Sequence, residues 1–291
     1  MASQQAGDAP LTSEDLLIVG PGVLGSYLGK VWRDHHPTAA VVGQTNTTAS
    51  HERLKALGIT PRVKADADGR RFPYVAFSAP PSGSEDYVAE TRAALQLWDA
   101  TGAFVFTGSA GVYAEDSGGP CAEDGAVAAV GHSERTDRLL AAEGAVLGAG
   151  GCVVRLAGLY HARRGAHTFF LRAGKVERWG GYTVNLLHYE DAALLTAAVL
   201  RCRDADGQHF RGRVFLGCDD SPVTFREMMD AAEASGAYEG AAEFTGELGA
   251  SRGKRLDNTA TRAAIKWAPR YPSFADFAAS GARDFYTSQE H

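Results

Sequence analysis

The sequence predicts an α/β protein built on a doubly wound parallel sheet, with a smaller lobe toward its C-terminal end. Three observations predict it. A short apolar run, Leu16-Leu17-Ile18-Val19, leads into glycines ordered G-x-G-x-x-G at Gly20, Gly22 and Gly25. Just beyond, Val23, Tyr27, Leu28, Val31 and Trp32 recur at helical spacing, so one helix face packs on a sheet. Further along, strand-like runs alternate with helical stretches across short turns, as βαβ units require.

In a strand–turn–helix of this kind each glycine has its own physical task. Gly20 permits the tight bend, Gly22 lets a pyrophosphate approach the backbone, and Gly25 allows close helix–strand packing. A phosphate there meets free N–H groups and the positive dipole end of the helix. Gly20, Pro21, Gly22, Val23, Leu24 and Gly25 are therefore the expected cofactor contacts. The competing account is a glycine-rich turn that only closes a sheet.

Composition narrows the class. The 291 residues are 45% hydrophobic and 22% charged, the balance of a soluble globular protein. A net charge of −6 argues against nucleic acid or an anionic membrane as the main partner. No apolar run reaches the ~20 residues a membrane span needs, and residues 1–10 lack the apolar core of a secretory signal. Cys121, Cys152, Cys202 and Cys218 are scattered without a C-x-x-C, which suits a reducing compartment and matches no zinc site. No metal ligand set is expected.

Taken in order, residues 1–13 read as a flexible tail and 14–291 as a single domain. His36-Pro37 ends the first helix, and residues 39–43 form the second strand. An Asp or Glu at its end would bond the 2′-hydroxyl of NAD. Gly43-Gln44-Thr45-Asn46-Thr47-Thr48 contains no carboxylate. Gln44 and Thr45 become candidate contacts, and NADP is preferred with NAD as the alternative. The nearest cation is Arg53, too far along the chain unless the next helix turns back.

That helix covers 50–57 and is closed by Gly58. Strands follow near 61–63 and at 74–78, the latter ending in Ala79-Pro80-Pro81-Ser82-Gly83. Ser78, Ala79 and Pro80 thus lie at the carboxyl end of a strand, where α/β sheets bind ligands; a plain turn explains the same residues. A helix at 85–99 and a strand at 103–106 come next. The segment 115–120 reads as a loop, 131–147 as a helix and 152–156 as the sixth strand. From 159 to 182 the pattern dissolves. A helix at 190–201, a strand at 214–216 and a capping box at Thr224-Phe225-Arg226-Glu227, opening a helix to Ala234, complete the regular elements. The smaller lobe is assigned to about 159–189 and 219–291.

The chemically informative stretch is Phe106-Thr107-Gly108-Ser109-Ala110-Gly111-Val112-Tyr113. A serine at the end of a central strand, in a turn of small residues, points into the cleft. A hydrolase nucleophile elbow needs G-x-S-x-G on a strand–turn–helix, and Thr107 stands at the first glycine position. Arg155 ends a buried strand and requires a carboxylate partner. His161 and His167 have no neighbouring carboxylate to make a metal site, and Arg163 and Arg164 read as solvated surface.

These segments together resemble the short-chain dehydrogenase/reductase superfamily, in particular its extended and atypical members related to nucleotide-sugar epimerases and dehydratases. The resemblance runs through residues 20–25, 109–113, Val154-Arg155-Leu156-Ala157-Gly158-Leu159-Tyr160 and Asn185-Leu186-Leu187-His188-Tyr189-Glu190-Asp191. Lys254-Arg255-Leu256-Asp257-Asn258 and Trp267-Ala268-Pro269-Arg270-Tyr271-Pro272 extend it. It implies a Rossmann fold binding a nicotinamide dinucleotide, with Thr107 at the cofactor and Ser109 bonding a substrate oxygen. The combination is also similar to a plant and algal branch, which implies the chloroplast stroma.

One departure matters. The family's proton-transfer pair is a Tyr followed four residues later by Lys, and no Tyr here is so followed. On the helix after the fifth strand, Arg135 falls near the Tyr position and Leu139 near the Lys position. Arginine stays protonated and cannot serve as general base. The chain then binds the cofactor without chemistry, or takes its proton from Tyr113, Tyr160 or His188, or uses Arg135 or Arg138 to clamp an anion. Tyr113 also reads as ring packing, and His188 as a structural bond at a helix start. The expected function is an NAD(P)-binding protein of doubtful or altered redox activity. Its alternatives are a cofactor-sensing or assembly protein acting through a protein partner, and an epimerase, dehydratase or reductase with a substitute acid.

Overall fold

The computed structural model describes residues 12–66 and 68–284. The expected tail, through residue 11, lies outside them. The chain runs β1 (Leu16–Val19), α1 (Val23–His35), β2 (Val41–Thr45), α2 (His51–Ala56), β3 (Thr60–Val63), β4 (Tyr74–Phe77), α3 (Tyr87–Leu95) and β5 (Phe104–Ser109). Then come β6 (Ser117–Cys121), α4 (Glu134–Gly148), β7 (Cys152–Leu156), β8 (Gly158–Tyr160), α5 (Ala166–Ala173), β9 (Lys175–Val176), β10 (Thr183–Val184), β11 (Leu186–His188) and α6 (Tyr189–Arg201). The last elements are β12 (Val214–Gly217), β13 (Val223–Thr224), α7 (Phe225–Ala234), β14 (Glu243–Phe244), β15 (Gly253–Leu256), α8 (Thr259–Ile265) and α9 (Phe274–Ala279).

Seven strands form one parallel sheet in the order β12-β7-β5-β4-β1-β2-β3. The order reverses between β1 and β4, which is where an open α/β sheet makes its ligand crevice. Strand alternation sorts the core. Leu16 and Ile18 face α1 and α6 with Leu28, Val31, Trp32, Leu195 and Val199. Leu17 faces α3 and α4 with Phe77, Phe106, Tyr87, Leu139 and Val146. Each face buries a continuous apolar layer, so the doubly wound prediction is realised.

Several boundaries move. The second strand is 41–45, not 39–43, because its pairing with β1 carries Val19 opposite Gln44. Residues 115–120 are not all loop: β6 pairs with β15, far along the chain. Within 159–182 the structure places β8, α5 and β9, where no pattern was legible. The capping box at Thr224 forms as read, with the Glu227 N–H donating to the Thr224 hydroxyl at 3.1 Å.

A second core assembles Phe170, Val176, Leu186, Phe225, Met228, Phe274 and Phe277 from the later segments. A four-stranded sheet, β13-β10-β15-β6, holds these segments over the carboxyl end of the main sheet. The buried carboxyl of Asp219 lies close by, its Oδ2 without a partner among the described residues. Burial pushes its pKa up to about 8 and that of Glu190 up to about 7, the latter opposed by Arg270. The folded chain therefore keeps protons that the unfolded chain releases near pH ~4. By linkage, stability is lost as pH rises from about 4 through about 8. Urea unfolding across that range is expected to show this fall, and Asp219→Asn to flatten its upper part; an unchanged slope in the variant contradicts the assignment.

Candidate active site

The glycine turn sits at the switch point. Gly20 has φ +77°, and a Cβ there would lie 2.5 Å from the Ala79 Cα. A Cβ on Gly25 would press to 2.9 Å from Ile18 Cγ2, whereas one on Gly22 would meet nothing within 4 Å. The helix-start N–H groups of α1 have no side-chain cap. An uncapped helix start above an open face is a cradle for an anion. The loop opposite is pinned: Ser78 Oγ donates to the Gly20 carbonyl at 2.9 Å, and the Tyr87 hydroxyl to the Ala79 carbonyl at 2.8 Å.

On one side of Ala79 and Pro80 lies a cavity of about 560 Å³ lined by Gly20, Gln44, Thr45, Lys64 and Glu90. Gln44 and Thr45 reach it as the last residues of β2, but both side chains are engaged. Gln44 Oε1 accepts from Arg62 Nε at 3.0 Å, and the Thr45 hydroxyl donates to the Arg62 carbonyl at 3.2 Å. The Thr45 hydroxyl also lies 2.9 Å from His51 Nε2. Arg53 does turn back. It donates from Nη1 to Ser26 Oγ at 2.7 Å and from Nη2 to the Pro21 carbonyl at 3.4 Å, setting its guanidinium against the glycine turn. Pro21 lines neither cavity; its ring lies beside Gly43.

On the other side a larger cavity of about 690 Å³ takes in residues 22–25, 78–81, 107–111 and 182–186. It thus unites Gly22, Val23, Leu24, Gly25, Ser78, Ala79, Pro80, Thr107, Ser109 and Arg135 from the sequence reading. Ser109 ends β5 and its Oγ accepts from the Gly111 N–H at 3.1 Å. Thr107 donates to the Phe77 carbonyl at 3.2 Å, tying β5 to β4. Helix α4 presents Arg135 and Leu139 to the cavity, at the positions where the resemblance placed the Tyr and Lys.

Two candidates are not brought there. Tyr113 is buried with its ring 4.7 Å from the Arg155 guanidinium and its hydroxyl donating to the Glu123 carbonyl at 3.1 Å. Burial pushes its phenol up to about 12. His188 is also buried; it accepts the Glu190 N–H on Nδ1 at 3.1 Å and faces the Asp284 carboxylate from Nε2 at 2.9 Å. Neither side chain is among those lining the cavity. The carboxylate that Arg155 required is Glu143, at 2.8 Å.

Sequence reasoning missed two cations of the cavity. Arg164, read as solvated surface, is exposed and lines it, and Lys254 reaches it from β15. With Arg135 they make three positive side chains and no carboxylate among the described lining residues, in a chain of net charge −6. The signal available was the excess of Arg and Lys in 251–270, six against one Asp.

A parallel sheet in this order, with a glycine turn and a cleft at its switch point, defines a Rossmann-like α/β fold. No protein-family model and no curated protein matches the chain. Solved structures do. A functionally unknown conserved protein from Silicibacter pomeroyi aligns with TM-score 0.74 at 18% identity, over 92% of this chain and 98% of its own. UDP-glucuronic acid 4-epimerase from Bacillus cereus, in complex with NAD, aligns with TM-score 0.72 at 15% identity, over 91% and 96%. A dTDP-glucose 4,6-dehydratase from Bacillus anthracis, also with NAD, gives TM-score 0.74 at 13% identity, over 92% and 95%. These likenesses establish the fold. They lend no support to a plant or algal chloroplast branch. Among the described residues, no helix is long and apolar enough to cross a membrane.

Proposed function

We propose that the chain binds a nicotinamide dinucleotide, NADP(H) in preference to NAD(H), and presents an anionic small molecule to Ser109. The observation that carries this reading is the uncapped start of α1 behind a bare Gly22, at the switch point between two cavities. The N–H groups opening α1 would hold the pyrophosphate, residues of the Gln44 cavity the adenosine half, and Thr107 and Ser109 the nicotinamide side. When bound, such a cofactor supplies hydride chemistry. Neighbours of the same fold are crystallised with NAD.

NADP is favoured because residues 43–48 offer no carboxylate to repel a 2′-phosphate and Arg53 brings a cation to the turn. An anionic substrate is favoured by Arg135, Arg164 and Lys254. The proton-transfer route of the superfamily that the sequence resembles is disfavoured by the absence of a Tyr-x-x-x-Lys pair, since Arg135 cannot act as a base. That same feature favours a second reading, a cofactor-sensing protein acting through a partner. The two separate on whether NADPH is oxidised with a panel of carbonyl compounds.

Thermal unfolding tests the binding claim. At free ligand ~100 times the dissociation constant, linkage adds ~2.7 kcal/mol, enough to raise Tm by a few degrees in a chain of this size. A rise with NADP⁺ or NADPH is expected, larger than with NAD⁺ or NADH. Arg53→Ala should weaken NADP⁺ by about tenfold or more while sparing NAD⁺, since a hydrogen bond to a charged group is worth ~1.5–3 kcal/mol. No shift with any of the four dinucleotides overturns the proposal.

A further inference from the structure

Among the described residues, six ionisable side chains line the cavity that holds Ser109: Tyr87, Arg135, Arg164, Tyr182, Tyr189 and Lys254. Proton exchange near neutrality narrows them quickly. The two arginines stay protonated. Tyr87 gives its hydroxyl proton to the Ala79 carbonyl, Tyr182 points its own at the Asp116 carboxylate at 3.4 Å, and burial raises both phenols. Tyr189 is tied to Arg164, whose Nε–H it accepts at 3.1 Å, on the α6 wall.

Lys254 stands differently. Its Nζ donates to the Tyr113 carbonyl at 2.8 Å, and Tyr113 closes the one-turn helix whose N-cap is Ser109. Lysine and serine are therefore fixed to the same turn. Its strand is clamped in place: Asn185 gives Nδ2–H to the Lys254 carbonyl at 2.9 Å and accepts the Leu256 N–H at 2.8 Å. The rest of the ammonium has no partner among the described residues, and no ion pair neutralises it. Half-burial draws its pKa below the usual lysine range, opposed by the charges of Cys121, Asp116 and Glu115. Of the chain's six lysines it alone lines this cavity.

We propose that Lys254 is a catalytic residue of this site, exchanging a proton with the substrate oxygen that Ser109 holds. The proposal rests on the cofactor reading above. In the reductive direction the carbonyl carbon gains hydride from a reduced nicotinamide dinucleotide, which leaves oxidised. The Nζ–H bond breaks, its proton completes the new hydroxyl, and its electron pair stays on Nζ until solvent reprotonates the amine. In the oxidative direction neutral Lys254 takes the hydroxyl proton. Reduction accordingly slows, and oxidation quickens, as pH rises through the titration of Lys254.

Two measurements test it after dinucleotide binding has been checked; failure to bind any dinucleotide overturns the cofactor reading first. In the first, all lysines are dimethylated with carbon-13 formaldehyde and titrated by NMR, Lys254 being assigned from its loss in Lys254→Arg. Lys254 should titrate below the other lysines, as its half-burial requires, and shift when NADP⁺ is added. Titration with the others overturns the proposal. In the second, NADPH oxidation is followed with phenanthrenequinone, an uncharged diketone. Lys254→Met and Lys254→Arg should each lose ~10²–10⁴ in rate with NADP⁺ affinity unchanged. A wild-type rate in Lys254→Arg overturns it, and so does a wild type that binds NADP⁺ but reduces no quinone.

Discussion

Arg155→Met is expected to lower the unfolding free energy by about 3–5 kcal/mol at neutral pH, the cost of leaving a buried charge without its partner. Glu143 and Arg155 are 2% and 8% exposed and joined at 2.8 Å, with a second bond from Nε at 3.1 Å. Burial raises the Glu143 carboxyl even in the presence of the arginine, so without it the group takes a proton more readily still. The penalty should therefore shrink as pH falls toward 5. In a chain this long it corresponds to a Tm drop on the order of 5–10 °C. Arg155→Met with Glu143→Leu should recover most of the loss, since apolar replacement of both members of a buried pair is often neutral. A single variant as stable as wild type at pH 7 would mean that the pair is solvated in solution.

The pair also shows where reading a sequence stops. Arg155 in an apolar strand announces a need for a carboxylate, yet nothing local says that Glu143, on α4, will meet it. The same division runs through the chain. The glycine turn, the first helix face and the Thr224 capping box were legible because every interaction involved spans a few residues. Strand β6 was not: Ser117-Gly118-Gly119-Pro120 has no strand propensity and is extended because it pairs with β15. Lys254 was quoted only as part of a resemblance, since the bond that ties it to the turn capped by Ser109, through the Tyr113 carbonyl, crosses 141 residues of sequence. Arg53 needed the return of α2 toward α1. Tyr113 was drawn toward the cleft by its closeness to Ser109, whereas the guanidinium of Arg155 holds its ring outside the cavity.

The glycine turn yields the second large effect, because its members do different work. Gly20→Ala puts a Cβ into the Ala79 backbone at 2.5 Å and forces alanine to φ +77°. Overpacking of this kind costs ~1–3 kcal/mol and the left-handed backbone ~1–2 kcal/mol more, so the free protein should melt several degrees lower. The Cβ added by Gly22→Val meets nothing within 4 Å, so the free protein should melt within a degree or two of wild type. Its side chain instead fills the space above the α1 N–H groups, and the ~2.7 kcal/mol of stabilisation expected at free NADP⁺ ~100 times the dissociation constant should vanish. The two substitutions then separate folding from binding within one short turn, read in one pair of melting curves with and without cofactor. Loss of folding stability in Gly22→Val would make the turn a structural closure of the sheet. A retained NADP⁺ shift in the same variant would move the pyrophosphate away from α1.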